Sequence, residues 1–159
     1  MNKGCAYLLT GKVASGKTTY ARKMEAEKKA VFLSIDELQL CIFGSSPTRE
    51  QLDNSYDGAR EYQFKEALKF LENGIDVFFD WGLWKKTERL KYKEQLQKHG
   101  FEVVIVYFKV SAEKRLEWNS KRNAGGDVAS FKIEPHDVAL FDSMYEEPTE
   151  EEYDLLITY

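Results

Sequence analysis

The stretch Ala6-Tyr7-Leu8-Leu9-Thr10-Gly11-Lys12-Val13-Ala14-Ser15-Gly16-Lys17-Thr18-Thr19 decides how the rest of the chain is read. An apolar run leads into Gly11-x4-Gly16-Lys17-Thr18, which fits the pattern GxxxxGK[ST], and a helix-forming segment follows. The run is apolar throughout instead of alternating, as in a central parallel strand covered on both faces. Between such a strand and a helix, backbone N–H groups converge, and the positive end of the helix dipole adds to them, so the loop suits phosphates. Gly11, Ala14, Ser15, Gly16, Lys17, Thr18 and Thr19 are therefore the candidate nucleotide-binding residues. In this chemistry Lys17 reaches the β- and γ-phosphates and the Thr18 hydroxyl holds Mg²⁺.

Outward from the loop, the sequence predicts alternating helices and strands. A helix is expected over Thr18 to Lys29 and a second strand over Val31 to Ile35, with Asp36-Glu37 suiting the start of a short helix. After the loop Gly44 to Thr48, Thr48-x-x-Gln51 can form a capping box for a long helix with the stripe Leu52, Tyr56, Ala59, Phe64, Ala67, Leu68 and Leu71, ending at Asn73-Gly74. Ile75 to Asp80 reads as the third strand, Thr87 to Lys98 as a helix stopped by His99-Gly100, and Val103 to Phe108 as the fourth strand. Ser111 caps a helix running to about Arg122, and Asn123-Ala124-Gly125-Gly126-Asp127 breaks it. Helical period resumes over Glu134 to Met144, and Leu155 to Thr158 reads as a fifth strand. The expected fold class is α/β: one P-loop domain over 1–159, with a parallel five-stranded sheet flanked by helices, nucleoside-kinase-like, with a helical lid over about 115–135.

The bulk composition fits one such domain. The chain has 159 residues, 43% of them hydrophobic, enough for one core and too few for two ordinary domains. Lys and Arg number 23 against 27 Asp and Glu, for a formal charge of −4, so no general basic field draws in nucleic acid or an anionic membrane. Cys5 and Cys41 fit free thiols in a reducing cytoplasm. The first apolar run is broken at Thr10-Gly11-Lys12, too early for a signal sequence or membrane span, so a cytoplasmic protein is expected.

Ligands of a parallel α/β sheet sit at the C-terminal ends of its strands, where Asp36 and Asp80 join the loop. A carboxylate after the second strand can take the proton of a hydroxyl as it attacks the γ-phosphate, which makes Asp36 the candidate catalytic base. Asp80 ends the apolar run Val77-Phe78-Phe79 and with Thr18 is a candidate metal residue. Either acid also suits a helix N-terminus. Arg115, Lys121 and Arg122 cluster before the glycines, and a guanidinium there can meet charge on the transferring phosphoryl group. Charges at this spacing also describe an ordinary solvated face. Arg122 is the candidate lid arginine, catalytic and nucleotide-binding together with Lys17. Trp81 and Trp84 could stack on an acceptor ring or pack in the core. His99 reads as a helix cap, His136 as a surface residue, and the acidic run Glu146-Glu147 with Glu150-Glu151-Glu152 as a solvated segment.

The succession Gly11-x4-Gly16-Lys17-Thr18-Thr19, Ser34-Ile35-Asp36-Glu37, Val77 to Trp84 with Glu88-Arg89, and Ser120-Lys121-Arg122-Asn123 resembles small P-loop kinases over nearly the whole chain. It looks most like the ATP-binding AAA-type kinase-like proteins of bacteria, and less closely like polynucleotide 5′-hydroxyl kinases, zeta toxins and chloramphenicol phosphotransferases. The resemblance implies an ATP·Mg²⁺ donor, Asp36 as general base and Arg122 as lid arginine, and it names no acceptor. Polynucleotide kinases carry an acceptor-binding arginine three positions after the base, where this chain has Gln39. Trp118 stands where such kinases can carry a second lid arginine. These departures disfavour a nucleic-acid acceptor and favour a small-molecule hydroxyl. A nucleotide or nucleic-acid 5′-hydroxyl kinase is the nearest alternative, and an ATP-hydrolysing switch without an acceptor is an alternative of another class. The absence of an [NT]KxD motif favours ATP over GTP.

Overall fold

In the computed structural model, which describes residues 2–125 and 131–159, β1 (Cys5–Gly11) is the central strand. It pairs in parallel with β3 (Asp76–Asp80) on one side and β4 (Glu102–Lys109) on the other. β2 (Ala30–Ser34) adds to β3 and β5 (Leu155–Thr158) to β4, which gives the order β2-β3-β1-β4-β5 with every pair parallel. Parallel pairing sends all the strands' C-terminal ends to one edge, so the loop after β1, Asp36 after β2 and Asp80 at the end of β3 share a rim.

The helices between these strands are α1 (Lys17–Glu27), α2 (Ile35–Phe43), α3 (Arg49–Glu72), α4 (Lys86–Lys98), α5 (Ala112–Gly125) and α6 (Pro135–Met144). Alternate strand residues divide between two cores, because successive side chains leave opposite faces. Ala6, Leu8, Val77, Phe79, Val103 and Ile105 pack with Ala59, Ala67 and Leu71 of α3 and Tyr92 and Leu96 of α4. Leu9, Phe78, Val106 and Phe108 pack with Ala21 of α1 on the other face, where Tyr7 stacks on Phe78 with ring centroids 4.4 Å apart.

Most expected elements are present, with shifts of physical origin. β1 runs on to Gly11 because its ladder with β4 continues to the pair Gly11–Phe108. Ile35 opens α2 instead of closing β2, since the Ser34 hydroxyl accepts the Glu37 N–H at 3.2 Å and starts the helix there. Both bonds of the capping box at α3 form: Gln51 N–H to Thr48 Oγ1 at 3.1 Å and Thr48 N–H to Gln51 Oε1 at 2.8 Å. α5 continues past Arg122 to Gly125. Gly126 and Asp127 of the expected break, and with them 126–130 of the expected lid, lie outside the described residues.

The acidic tail departs from expectation at one residue: Glu146, Glu147, Glu150 and Glu151 are exposed as expected, and Glu152 is not. Glu152 is buried and pairs with Arg89, a fully buried arginine of α4. The same guanidinium donates to the carbonyls of Leu83 at 2.9 Å and Trp84 at 3.1 Å. Glu146 accepts the Lys86 N–H at 2.9 Å, and Glu147 faces Lys12 of the loop. Arg89 thereby pins the turn after β3, where Gly82 (φ 76°) and Leu83 (φ 48°) are both left-handed.

Removing one partner of a buried ion pair strands the other charge, so Arg89→Ala is expected to cost about 3–5 kcal/mol in urea unfolding. Truncating Lys98 of the exposed Lys98–Glu94 pair is expected to leave the unfolding midpoint nearly unchanged. Equal losses would show that Arg89 is not a keystone.

Candidate active site

The loop after β1 has the tight geometry its glycines imply. Gly16 caps α1 in a left-handed conformation (φ 88°), and Ala14 is left-handed too (φ 57°). A Cβ on Gly11 would come within 2.6 Å of Ser15 Oγ and 2.9 Å of the Phe108 carbonyl oxygen, so only glycine fits where the loop leaves the sheet. Ser15 is buried and Thr19 is exposed on α1. Lys17 folds back over the loop, its Nζ donating to the carbonyls of Gly11 at 2.9 Å and Lys12 at 3.0 Å and to Ser15 Oγ at 3.2 Å. Thr18 Oγ1 donates to Asp80 Oδ2 at 3.0 Å. A hydroxyl and a carboxylate side by side are the hard oxygen donors Mg²⁺ takes, and Mg²⁺ completes its shell with phosphate and water oxygens, so this pair fits the ion.

Lys17, Asp36, Asp80 and Arg122 lie close enough to feel one another's charge. Burial lowers the Lys17 pKa, Asp80 and Asp36 raise it, and Arg122 and Arg115 lower it. Desolvation by the surrounding protein and then the charge of Asp80 push the Asp36 carboxyl up to about 6, against the opposing effect of Arg122 and Lys17. Asp36 still presents surface to solvent, as a carboxyl on the wall of an open cleft does. The fold brings the loop lysine, both acids and Arg122 within range of one another's charge. Arg122 donates to Asn119 Oδ1 at 2.9 Å, one turn back on α5.

Other residues of the sequence analysis have structural places. Arg115 is a buried clamp, donating to both Asp142 oxygens of α6 at 3.0 and 2.6 Å and to the Val13 carbonyl of the loop at 3.3 Å. Lys121 pairs on the surface with Glu117. Gln39 is buried and donates to the Leu52 carbonyl and Ser55 Oγ, tying α2 to α3. Trp81 is core, and Trp84 packs on Phe141 of α6. Trp118 meets Tyr159 edge to face at 5.2 Å. His99 is the C-cap of α4, and His136 is exposed beside Asp137.

The sequence reading missed the buried polar residues of α3. Arg60 and Gln63 are buried in phase with Ala59, Ala67 and Leu71. Tyr56, placed in the apolar stripe, donates its hydroxyl to the Trp81 carbonyl at 2.9 Å and accepts from Arg60. Burial raises the Tyr56 pKa against the opposing effect of Arg60, and the charges of Glu88 and Asp36 add to the rise. Polar residues in step with an apolar stripe were the available signal.

Comparison with known proteins agrees with this geometry. A family model described as AAA domain matches residues 7–148, and the chain belongs to that family. None of the curated proteins matches the sequence. A candidate kinase from Chloroflexus aurantiacus superposes with a TM-score of 0.74 at 19% identity, over 99% of this chain and 88% of that one. Kti12 of Chaetomium thermophilum, solved with ADP-AlF3, gives 0.67 at 18% identity, over 97% and 88%. The APS kinase CysC of Mycobacterium tuberculosis, solved with AMPPNP and APS, gives 0.64 at 17% identity, over 99% and 90%. The fold is that of the P-loop kinases. Among the described residues, no helix is long and apolar enough to cross a membrane.

The raised Asp36 pKa carries a stability cost whose sign is fixed. Between the unfolded value of about 4 and the folded value of about 6, the folded state binds more protons, so stability falls as pH rises through that window. Above about 6 the cost is fully present. Asp36→Asn is expected to raise the thermal midpoint at about pH 7.5, with the gain shrinking towards about pH 4. An equal or lower midpoint at the higher pH would contradict the shift.

Proposed function

We propose that this member of the AAA domain family is an ATP-dependent kinase that transfers the γ-phosphate to a hydroxyl of a small-molecule acceptor. The supporting observation is the placement of Asp36: Ser34 supplies the cap of α2, and Asp36 follows in its first turn within range of the charges of Asp80, Arg122 and Lys17. In this reading Asp36 accepts the acceptor's proton as its oxygen forms a bond to the γ-phosphorus, and the bond from phosphorus to the ADP oxygen breaks. Lys17 turns from the Gly11 and Lys12 carbonyls to the β- and γ-phosphates, whose charge favours its protonated form. Arg122 meets the charge spread over the transferring phosphoryl oxygens. Mg²⁺, held by Thr18 and Asp80, neutralises phosphate charge when bound.

A small acceptor is favoured by Gln39, whose amide is committed to the α2–α3 contact, and by the acids that border the cleft, which repel a polyanionic strand. Cytoplasmic residence accords with two thiols that form no disulfide with each other.

The test is transfer of labelled γ-phosphate across a panel of hydroxyl compounds, short oligonucleotides included, with wild type and Asp36→Asn. The variant is expected to lose about 10²–10⁴-fold in transfer while binding ATP nearly as wild type, and wild-type transfer is expected to fall as pH drops through about 6. Full activity in Asp36→Asn rejects the base assignment. Preferential labelling of oligonucleotide ends would move the acceptor to the nucleic-acid class. Lys17→Ala is expected to lose ATP binding in a direct titration, and retained affinity would remove the loop from the site.

A further inference from the structure

The β2–β3 ladder ends at the pair Ser34–Asp80. Beyond it the two chains part: β2 turns into α2, where Asp36 sits, and β3 enters the turn Trp81-Gly82-Leu83. One buried side chain bridges that parting. Gln63 of α3 donates from Nε2 to the Ser34 carbonyl at 2.8 Å, and its Oε1 accepts the Trp81 indole N–H at 2.7 Å. The amide orientation is unambiguous, because a carbonyl only accepts and an indole N–H only donates. A glutamate of the same shape would set a carboxylate against the Ser34 carbonyl, and an apolar side chain would orphan a buried donor and acceptor.

We propose that Gln63 is a positioning residue that fixes the separation of Asp36 and Asp80. Two carboxylates at adjoining strand ends repel each other, and that repulsion acts to open the ends where ladder bonds have run out. Gln63 replaces the missing rung, holding the residue two before one acid to the residue after the other. The role serves catalysis only if Asp36 is the base proposed above, although the positioning itself does not depend on that reading. Trp81 acts here as a bonded partner, its ring in the core and its N–H on the bridge.

The experiment is a ¹³C NMR titration of the Asp36 carboxyl in protein labelled at aspartate, with Asp36→Asn to assign the resonance. Gln63→Leu removes the bridge, and Trp81→Phe removes only its donor while keeping a ring in the core. In both, the Asp36 midpoint is expected to fall from about 6 towards the ordinary carboxylate range as the acids separate and water enters. A midpoint at the wild-type value in folded Gln63→Leu and Trp81→Phe overturns the proposal. Should Gln63→Leu fail to fold, Trp81→Phe decides alone. The titration reads the spacing of the acids and not turnover, so full transfer activity in Asp36→Asn would sink the base assignment while leaving the Gln63 result intact.

Discussion

The hydrogen bond from Thr18 Oγ1 to Asp80 Oδ2 joins the first turn of α1 to the end of β3, and the rest of the cleft is arranged around it. It can form only because β1 and β3 are parallel neighbours, which brings the loop and the acid to one rim. The adjoining β2–β3 ladder sets Ser34 opposite Asp80 and so delivers Asp36 to the third side. Strand spacing is nearly invariant in a sheet, about 4.8 Å, so three chemically different groups inherit their placement from backbone pairing. The side chains then need only local adjustment.

That placement is electrostatically costly. Asp36 and Asp80 are drawn together in a partly desolvated cleft, and Lys17 and Arg122 offset their charge only in part. The protein tolerates the arrangement because the surrounding frame is over-determined. Arg89 holds the carbonyls of the turn after Asp80 and is neutralised by Glu152, Thr10 Oγ1 donates to the same Leu83 carbonyl at 3.1 Å, and Gln63 ties the strand ends. Groups that destabilise the fold at a site while the frame compensates elsewhere are the usual signature of chemistry at that site.

The loop, the strand order of types and the acids were legible in the sequence because each depends on local pattern: residue spacing for the loop, apolar continuity for the strands, a carboxylate after an apolar run for Asp36 and Asp80. What stayed hidden depends on partners far along the chain. Arg89 and Glu152 are separated by 63 positions, and nothing in either segment announces the other, so Glu152 read as solvated with the rest of its run. Arg115 read as one charge in a basic cluster because Asp142, its partner 27 positions on, lies in another helix. Gln63 and Arg60 were passed over for a different reason: a stripe defined by hydrophobicity omits polar residues that share its phase, although burial follows the phase and not the polarity.

The Arg115 clamp also bears on how the end of α5 that carries Arg122 can move. Its guanidinium is fastened at once to α6 and to the Val13 carbonyl, so the base of α5 and the phosphate loop behave as one body. Asn119 and Asn123 donate to the Ile133 carbonyl at 2.8 and 2.7 Å, fastening the far part of the helix to the segment that leads into α6. Arg122 lies about 10 Å beyond Arg115 along the helix axis, at 1.5 Å per residue. Any motion of Arg122 relative to the loop must therefore arise in the last two turns of α5 or in the side chain itself, and not in a swing of the whole helix. In the kinase reading proposed above, Arg122 on such a support keeps its register with the loop, the property a transition-state charge needs.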